Sequence, residues 1–107
     1  MTREVGQATD VRVLEWLKAD LAENMGILFK SLLQSGHDAS IDALAALIIN
    51  SYILGRRVGI NYQVLDMRIK HQLNTSISEL DEVHHIQGDL TQLQSYIESR
   101  GKDQKKR

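Results

Sequence analysis

The segment from Ala43 to Leu54 (ALAALIINSYIL) is apolar on almost every side of a helix, and it limits the folds open to this chain. A helix without a polar face has to be surrounded by protein on nearly all sides. A chain of 107 residues has a modest core and little material with which to cover such a helix. The segment therefore predicts self-association, in which a second copy completes the core.

The composition favours an all-α protein. The sequence contains no proline, which permits long uninterrupted helices, and aromatic residues make up only 5% of it. The apolar residues are mainly leucine, isoleucine and alanine. We therefore expect a bundle of helices.

Charge and cysteine content narrow the possible partners and location. The formal net charge is −1, so electrostatics gives no argument for nucleic-acid binding by the whole domain. No cysteine is present, which fits an intracellular location. The central apolar segment is too short to span a bilayer, and Asn50 and Ser51 interrupt it. We expect a cytoplasmic protein that does not enter a membrane.

The first helix is predicted from a cap at Thr9 or Asp10 to about Ser35, with Gly36 as the left-handed residue that ends it. Its apolar stripe recurs at steps of three and four residues and comprises Leu14, Leu17, Leu21, Met25, Leu28 and Leu32. The second helix is predicted to start at a Ser40 cap and to end at Gly59. These two helices are long and should pack antiparallel.

Two shorter helices are predicted after the turn at Asn61. One runs to about Leu73, where residues 74–78 (NTSIS) form a polar break, and the last helix opens at Asp89. Residues 1–8 are expected to be a flexible N-terminus, residues 9–100 a single helical domain, and residues 101–107 a flexible basic tail. Pairing two such bundles across a two-fold axis would bury the apolar helix, so a homodimer is the favoured assembly.

The segments Leu21–Leu33 (LAENMGILFKSLL) and Ile41–Tyr62 (IDALAALIINSYILGRRVGINY) resemble two helices of the MazG-like family of all-α nucleotide pyrophosphohydrolases. In active members the first of these helices carries two adjacent glutamates and a third acid three residues after the pair. The second typically reads Glu-Leu-Ala-Asp, then an apolar run, then Gly-Ile-Asp-Leu. The resemblance implies a MazG-like helical bundle.

The resemblance also implies which positions would hold Mg²⁺ in an active enzyme. Glu23 matches the first acid, whereas Asn24 and Ile27 fall at the second and third, and Ala43 and Ala46 fall at the acids of the second helix. Mg²⁺ needs oxygen ligands, which alanine and isoleucine side chains lack. The standard metal site is therefore expected to be degenerate and the chain to have no cofactor. The leading hypothesis is a non-catalytic binding or regulatory oligomer.

Two alternatives stay open. An active nucleotide pyrophosphohydrolase would need Mg²⁺ held by displaced acids, for which Asp20, Glu23 and Asp42 are the candidates. Asp20 and Glu23 share one face of the first helix, and Asp42 begins the second. A generic helical interaction module would resemble the family only through convergent patterning of its bundle. The partner would be a second copy in each case, with a nucleotide or another protein as a further possibility.

Three polar residues in or after the apolar segment are candidates for nucleotide or phosphate contact. Arg56 and Arg57 can hold a phosphate or a carboxylate. They also complement the dipole at a helix C-terminus, and this second explanation is favoured. Asn50 can contact a nucleotide or meet its counterpart across a dimer and fix the register, and the register role is slightly favoured.

Overall fold

The computed structural model is all-α and describes residues 2–79 and 84–106, with side chains described for residues 11–78 and 86–100. Four helices and no strand occur within these residues: α1 (Thr2–Leu33), α2 (His37–Arg57), α3 (Tyr62–Glu79) and α4 (His84–Lys106). They contain 32, 21, 18 and 23 residues, respectively. The all-α fold class predicted from the sequence is confirmed, and dimerisation stays a prediction.

Helices α1 and α2 form an antiparallel hairpin. Ser31 and Ser40 meet beside the connecting turn, while Asp20 and Asn50 meet further from it, as an antiparallel pair of helices requires. Leu17 and Ala43 are 3% and 2% exposed, so they form part of the hydrophobic core. The two helices whose apolar patterns are longest therefore pack together as predicted.

The turn between α1 and α2 differs from the prediction at two residues. Ser35 takes the left-handed conformation (φ 57°) that was predicted for Gly36, and the Gly36 amide donates to the Ser31 carbonyl at 2.8 Å. Gly36 is then the N-cap of α2, and Ser40 lies inside that helix. The Ser40 cap was wrong because its hydroxyl is buried and donates to the Gly36 carbonyl at 2.9 Å instead of to an amide of the first turn.

Helix α2 is terminated by Gly59, as predicted, and this glycine has φ +96°. The Ile60 amide donates to the Gly55 carbonyl at 2.9 Å, and the Gly59 amide donates to the Arg56 carbonyl at 3.1 Å. This pair of bonds is a Schellman motif, which a glycine in the left-handed region commonly completes. The chain can then reverse into α3.

Three other helix boundaries differ from those predicted. α1 begins at Thr2, before the Thr9 or Asp10 cap, and α4 runs from His84 to Lys106 instead of opening at Asp89. Helix α3 continues through residues 74–78, where the Ser78 hydroxyl donates to the Asn74 carbonyl at 3.0 Å. Polar residues do not break a helix when their side chains bond to its own carbonyls and no proline intervenes. The flexibility expected of residues 1–8 and 101–107 lies outside the described side chains and stays a prediction.

The chain divides into two compact units, residues 1–62 and residues 63–107. The first contains the α1–α2 hairpin and Tyr62. In the second, Leu73 is 8% exposed, and the Gln87 amide nitrogen of α4 donates to the Ile77 carbonyl of α3 at 3.3 Å. The single domain predicted for residues 9–100 stays a prediction.

Among the described helices, α2 is long and apolar enough, by length and composition alone, to cross a membrane. It has 21 residues, and its most apolar window has a mean hydropathy of 1.3. The expectation that the central segment is too short to span a bilayer was made for residues 43–54, and it does not hold for the helix, which extends beyond that segment at both ends. Only 11% of its apolar window is buried. Asn50 of this helix contacts the Asp20 carboxylate of α1, and a carboxylate is costly inside a bilayer. The expectation that the chain does not enter a membrane stays a prediction.

Candidate functional site

A polar contact crosses the middle of the α1–α2 hairpin. The Asn50 amide nitrogen donates to Asp20 Oδ2 at 2.8 Å, and the Asn24 amide nitrogen donates to the same oxygen at 3.2 Å and to the Asp20 carbonyl at 2.9 Å. Asn50 is 7% exposed, so a partner for its amide is required. The contact fixes the register of α1 against α2, whereas the sequence had favoured a register contact between two copies.

The resemblance predicted five metal-binding positions, and the structure gives the surroundings of the side chain at each. Ala43 is 2% exposed and belongs to the core, Ala46 is half-buried, and Ile27 is 43% exposed. The Asn24 amide nitrogen is directed to Asp20, and Glu23 is an exposed carboxylate. One carboxylate among five positions does not make a set of oxygen ligands for a hard cation. No reaction step through a metal follows from these residues.

The displaced acids are not gathered into one group. Asp20 lies beside Asn50, and the separation of eight positions from Asp42 to Asn50 corresponds to about 12 Å along α2. Mg²⁺ ligands lie much closer together, at about 2 Å from a shared ion. Among the described side chains, no group of three or more His, Cys, Asp or Glu residues could hold a metal ion. Use of Asp20, Glu23 and Asp42 together would therefore need a different arrangement of the hairpin.

A pocket of about 570 Å³ lies at the C-terminal end of α2 and is lined by Ile53, Arg56, Arg57 and Tyr62. The Arg56 guanidinium carbon lies 5.5 Å from the centre of the Tyr62 ring, a cation–π contact. The Tyr52 and Tyr62 rings meet edge to face, with centres 5.9 Å apart and planes at 76°. Arg56 and Arg57 thus line one pocket, while Asn50 is not among its lining residues.

Sequence reasoning missed Tyr62 in this pocket. The signal was present, because the Gly59 turn that ends α2 brings the first residue of α3 back beside Arg56. Sequence reasoning also missed a second pocket, of about 520 Å³, along one side of α3. Its described lining residues recur at helical spacing and are Arg68, His71, Gln72, Thr75 and Ser76.

The described residues form four helices, and the first two make a long antiparallel hairpin with a buried alanine in its core. These features define an all-α helical-hairpin protein. The chain belongs to the MazG-like family, whose model matches residues 8–90. The match confirms the family predicted from the sequence and indicates a relationship to nucleotide pyrophosphohydrolases. No curated protein and no solved structure gives a significant match.

Proposed function

We propose that this MazG-like chain is a non-catalytic binding or regulatory protein that acts in the cytoplasm as a homodimer or larger oligomer. The observation that carries the proposal is the burial of Ala43 in the hairpin core, at a position where the family has a metal-binding acid. Nucleotide hydrolysis by a metal-dependent mechanism needs a cation that bridges the phosphates and activates water. A packed methyl group offers that cation no ligand.

The remaining metal positions support the same proposal. Asn24 occupies the place of an acid, and its amide nitrogen donates to Asp20 on its own helix. Asp20 is also bound by Asn50. The groups nearest the former site thus bond to one another, and a metal would have to displace these contacts.

An exposed apolar surface on α2 supports the oligomer. Ile48 and Ile49 are 58% and 55% exposed, and Ile41 and Leu44 are 53% and 47% exposed. Among the described residues, the buried hydrophobic side chains are only Leu17, Ala43 and Leu73. Apolar patches of this extent mark interaction sites.

A second copy is the occupant that fits this surface. One stripe on the side of α2 away from the buried Ala43 and Asn50 consists of Ile41, Leu44, Ala45, Ile48 and Tyr52, each of which has another member three or four residues away. The five stripe residues are uncharged, and the acids nearest to them in sequence, Asp38 and Asp42, lie at the N-terminal end of the stripe. A self-complementary apolar stripe is what a two-fold interface requires.

The catalytic part of the proposal is tested by assaying pyrophosphate release from a panel of nucleoside triphosphates with Mg²⁺. We expect no release by the wild-type protein and no Mg²⁺-dependent shift of the thermal unfolding midpoint. The Glu23→Gln variant is the matched control, since it removes the one acid kept at a metal position. Turnover by the wild type that this variant abolishes would refute the proposal in favour of an active pyrophosphohydrolase.

The oligomer is tested by sedimentation velocity at micromolar concentration. We expect a dimer or larger species, and Ile48→Glu should dissociate it by placing a charge at the centre of the apolar stripe. Ala22→Glu introduces the same side chain at an exposed position of α1 and should leave the assembly unchanged. A stable wild-type monomer would contradict the proposal, and a nucleotide-independent complex with another protein would indicate a generic interaction module.

A further inference from the structure

The described lining of the pocket along α3 consists of polar side chains only. They recur at helical spacing on one face of the helix and are Arg68, His71, Gln72, Thr75 and Ser76. The volume of about 520 Å³ lies within the range of small-molecule sites. A guanidinium, an imidazole, an amide and two hydroxyls all form hydrogen bonds, so the pocket suits a polar ligand.

The two hydroxyls of this pocket are free to bond to a ligand. Thr75 and Ser76 are half-buried, and neither side chain has a hydrogen-bond partner within the described part of the chain. In contrast, the hydroxyls of Ser51, Ser78 and Thr91 donate to the carbonyl four residues earlier, at 2.8 to 3.0 Å. A hydroxyl that does not bond to its own helix keeps its donor for another molecule.

The Arg68 guanidinium has no carboxylate partner among the described side chains. On a helix, an arginine pairs with acids three or four residues away, and around Arg68 those positions hold two apolar residues, a histidine and a glutamine. Asp66 is two positions away and therefore lies on another face of α3. The fork of N–H donors on Arg68 thus remains open, and a carboxylate fits such a fork through two parallel hydrogen bonds.

The charge of the pocket matches a carboxylate better than a phosphate. Arg68 supplies one permanent positive charge, whereas a phosphate group carries about −1.5 to −2 charges at neutral pH. Phosphate sites commonly use the free backbone amides at a helix N-terminus. This pocket lies beyond the first turn of α3, where the amides bond to carbonyls of the same helix. Its donors are therefore side chains alone.

The pocket is longer than a single carboxylate. Arg68 and Ser76 are eight positions apart, which corresponds to about 12 Å along α3. A carboxylate held at Arg68 does not extend to Thr75 and Ser76, so further polar groups on the same ligand have to meet them. Ligand hydroxyls suit this end of the pocket, because they both donate to and accept from protein hydroxyls.

We propose that this pocket binds a small polyhydroxylated carboxylate, the chemical class of the sugar acids. Arg68 and His71 hold the carboxylate, and Gln72, Thr75 and Ser76 bond to the hydroxyls. The proposal goes beyond the proposed function and concerns α3 alone, so it does not depend on the lack of catalysis or on assembly through α2.

The test is an NMR titration of the ¹⁵N-labelled protein with three probes of equal carbon number. Gluconate has a carboxylate and hydroxyls, hexanoate has the carboxylate alone, and sorbitol has hydroxyls alone. We expect gluconate to shift the amide signals of residues 68–76, hexanoate to bind more weakly and sorbitol not to bind. Inorganic phosphate should also bind more weakly than gluconate. The proposal would be overturned by the absence of shifts at millimolar gluconate, or by equal binding of hexanoate or phosphate.

Arg68→Gln tests the carboxylate end of the pocket. This variant should weaken gluconate binding by about tenfold, the loss expected for one charge-assisted contact. Lys70→Gln is the matched control, because it removes the same charge two positions away, on another face of α3. Both side chains are exposed, so thermal unfolding should show that both variants keep the fold. Equal weakening by the two variants would refute a specific site.

Thr75→Val combined with Ser76→Ala tests the hydroxyl end. This double variant should abolish the preference for gluconate over hexanoate, and a retained preference would overturn the role of the two hydroxyls. Thr91→Val is the control, since its hydroxyl bonds to its own helix α4 at 3.0 Å. Pyrophosphate release and sedimentation of the same samples test the proposed function separately. Turnover or a monomer in a sample that binds gluconate would contradict only the proposed function.

Discussion

Replacing Ala43 with glutamate introduces an acid at a position where the resemblance predicts a metal ligand, and it tests whether that position is core or open site. The side chain is 2% exposed. If the position is core, the new carboxylate meets packed side chains and no cation. Ala22→Glu, at an exposed position in the middle of α1, makes the same change without burial.

The expected cost follows from two terms. Forcing extra methylene groups into a packed interface destabilises by about 1–3 kcal/mol. Burying an uncompensated carboxylate adds several kcal/mol, so we expect a total loss of about 4 kcal/mol or more. A domain of this size has a total stability of about 5–15 kcal/mol, so the loss is a large share of it. The Ala22→Glu control should change the stability by less than about 0.5 kcal/mol.

Urea unfolding monitored by circular dichroism measures both variants. We expect the unfolding midpoint of Ala43→Glu to fall far below those of the wild type and the control, in the presence or absence of Mg²⁺. A stability near that of the wild type, together with a Mg²⁺-dependent increase, would refute our argument. It would mean that position 43 opens to a site able to hold a cation.

Three further predictions concern the hairpin and its turns. Asn50→Ala and Asp20→Ala should show a coupling of about 1–2 kcal/mol in a double-mutant cycle, and additive effects would show that their 2.8 Å contact contributes nothing. Gly59→Ala should destabilise the folded protein by about 1 kcal/mol in thermal unfolding, because residue 59 has a φ of +96°. Gly26→Ala should stabilise it by about 0.5–1 kcal/mol in the same assay, because the added carbon meets open space. Ser40→Ala should cost about 1–2 kcal/mol in urea unfolding, since it removes the 2.7 Å partner of a second buried hydroxyl, and an unchanged midpoint would contradict this.

The sequence predicted the helices well because their signals are local. The stripe from Leu14 to Leu32 and the apolar run from Ala43 to Leu54 each define a helix face within the segment itself. Gly59 was predicted as the end of α2 because a Schellman motif requires a positive φ there, and only glycine adopts it without cost.

The caps were less predictable because several residues compete for the same role. Gly36 is N-cap without a side-chain bond, although Ser40 is a stronger capping residue by chemistry. Tertiary packing decided the outcome, since the Ser40 hydroxyl is buried against Ser31. The polar residues 74–78 were misjudged for a related reason, because a helix tolerates them when its own carbonyls accept their hydroxyl protons.

The contacts within the candidate sites could not be predicted from the sequence. The sequence does not show that Asn50 bonds to Asp20 and not to another acid such as Glu23. The partner depends on how the two helices are rotated about their axes. Tyr62 joins Arg56 only because the turn after α2 has one particular geometry. The residue types were visible in the sequence, but their neighbours were not.

The burial of Ala43 and the contact between Asp20 and Asn50 have a common physical basis. Acids from two helices that face each other repel unless a cation lies between them, so a metal-binding hairpin needs both the acids and the ion. With alanine at positions 43 and 46, that repulsion is absent and α2 can pack directly on α1. Asp20 is then the carboxylate held across the hairpin, and a neutral amide from Asn50 satisfies it without a cation. In this hairpin, which we propose is non-catalytic, a hydrogen bond therefore fixes the register without a cation.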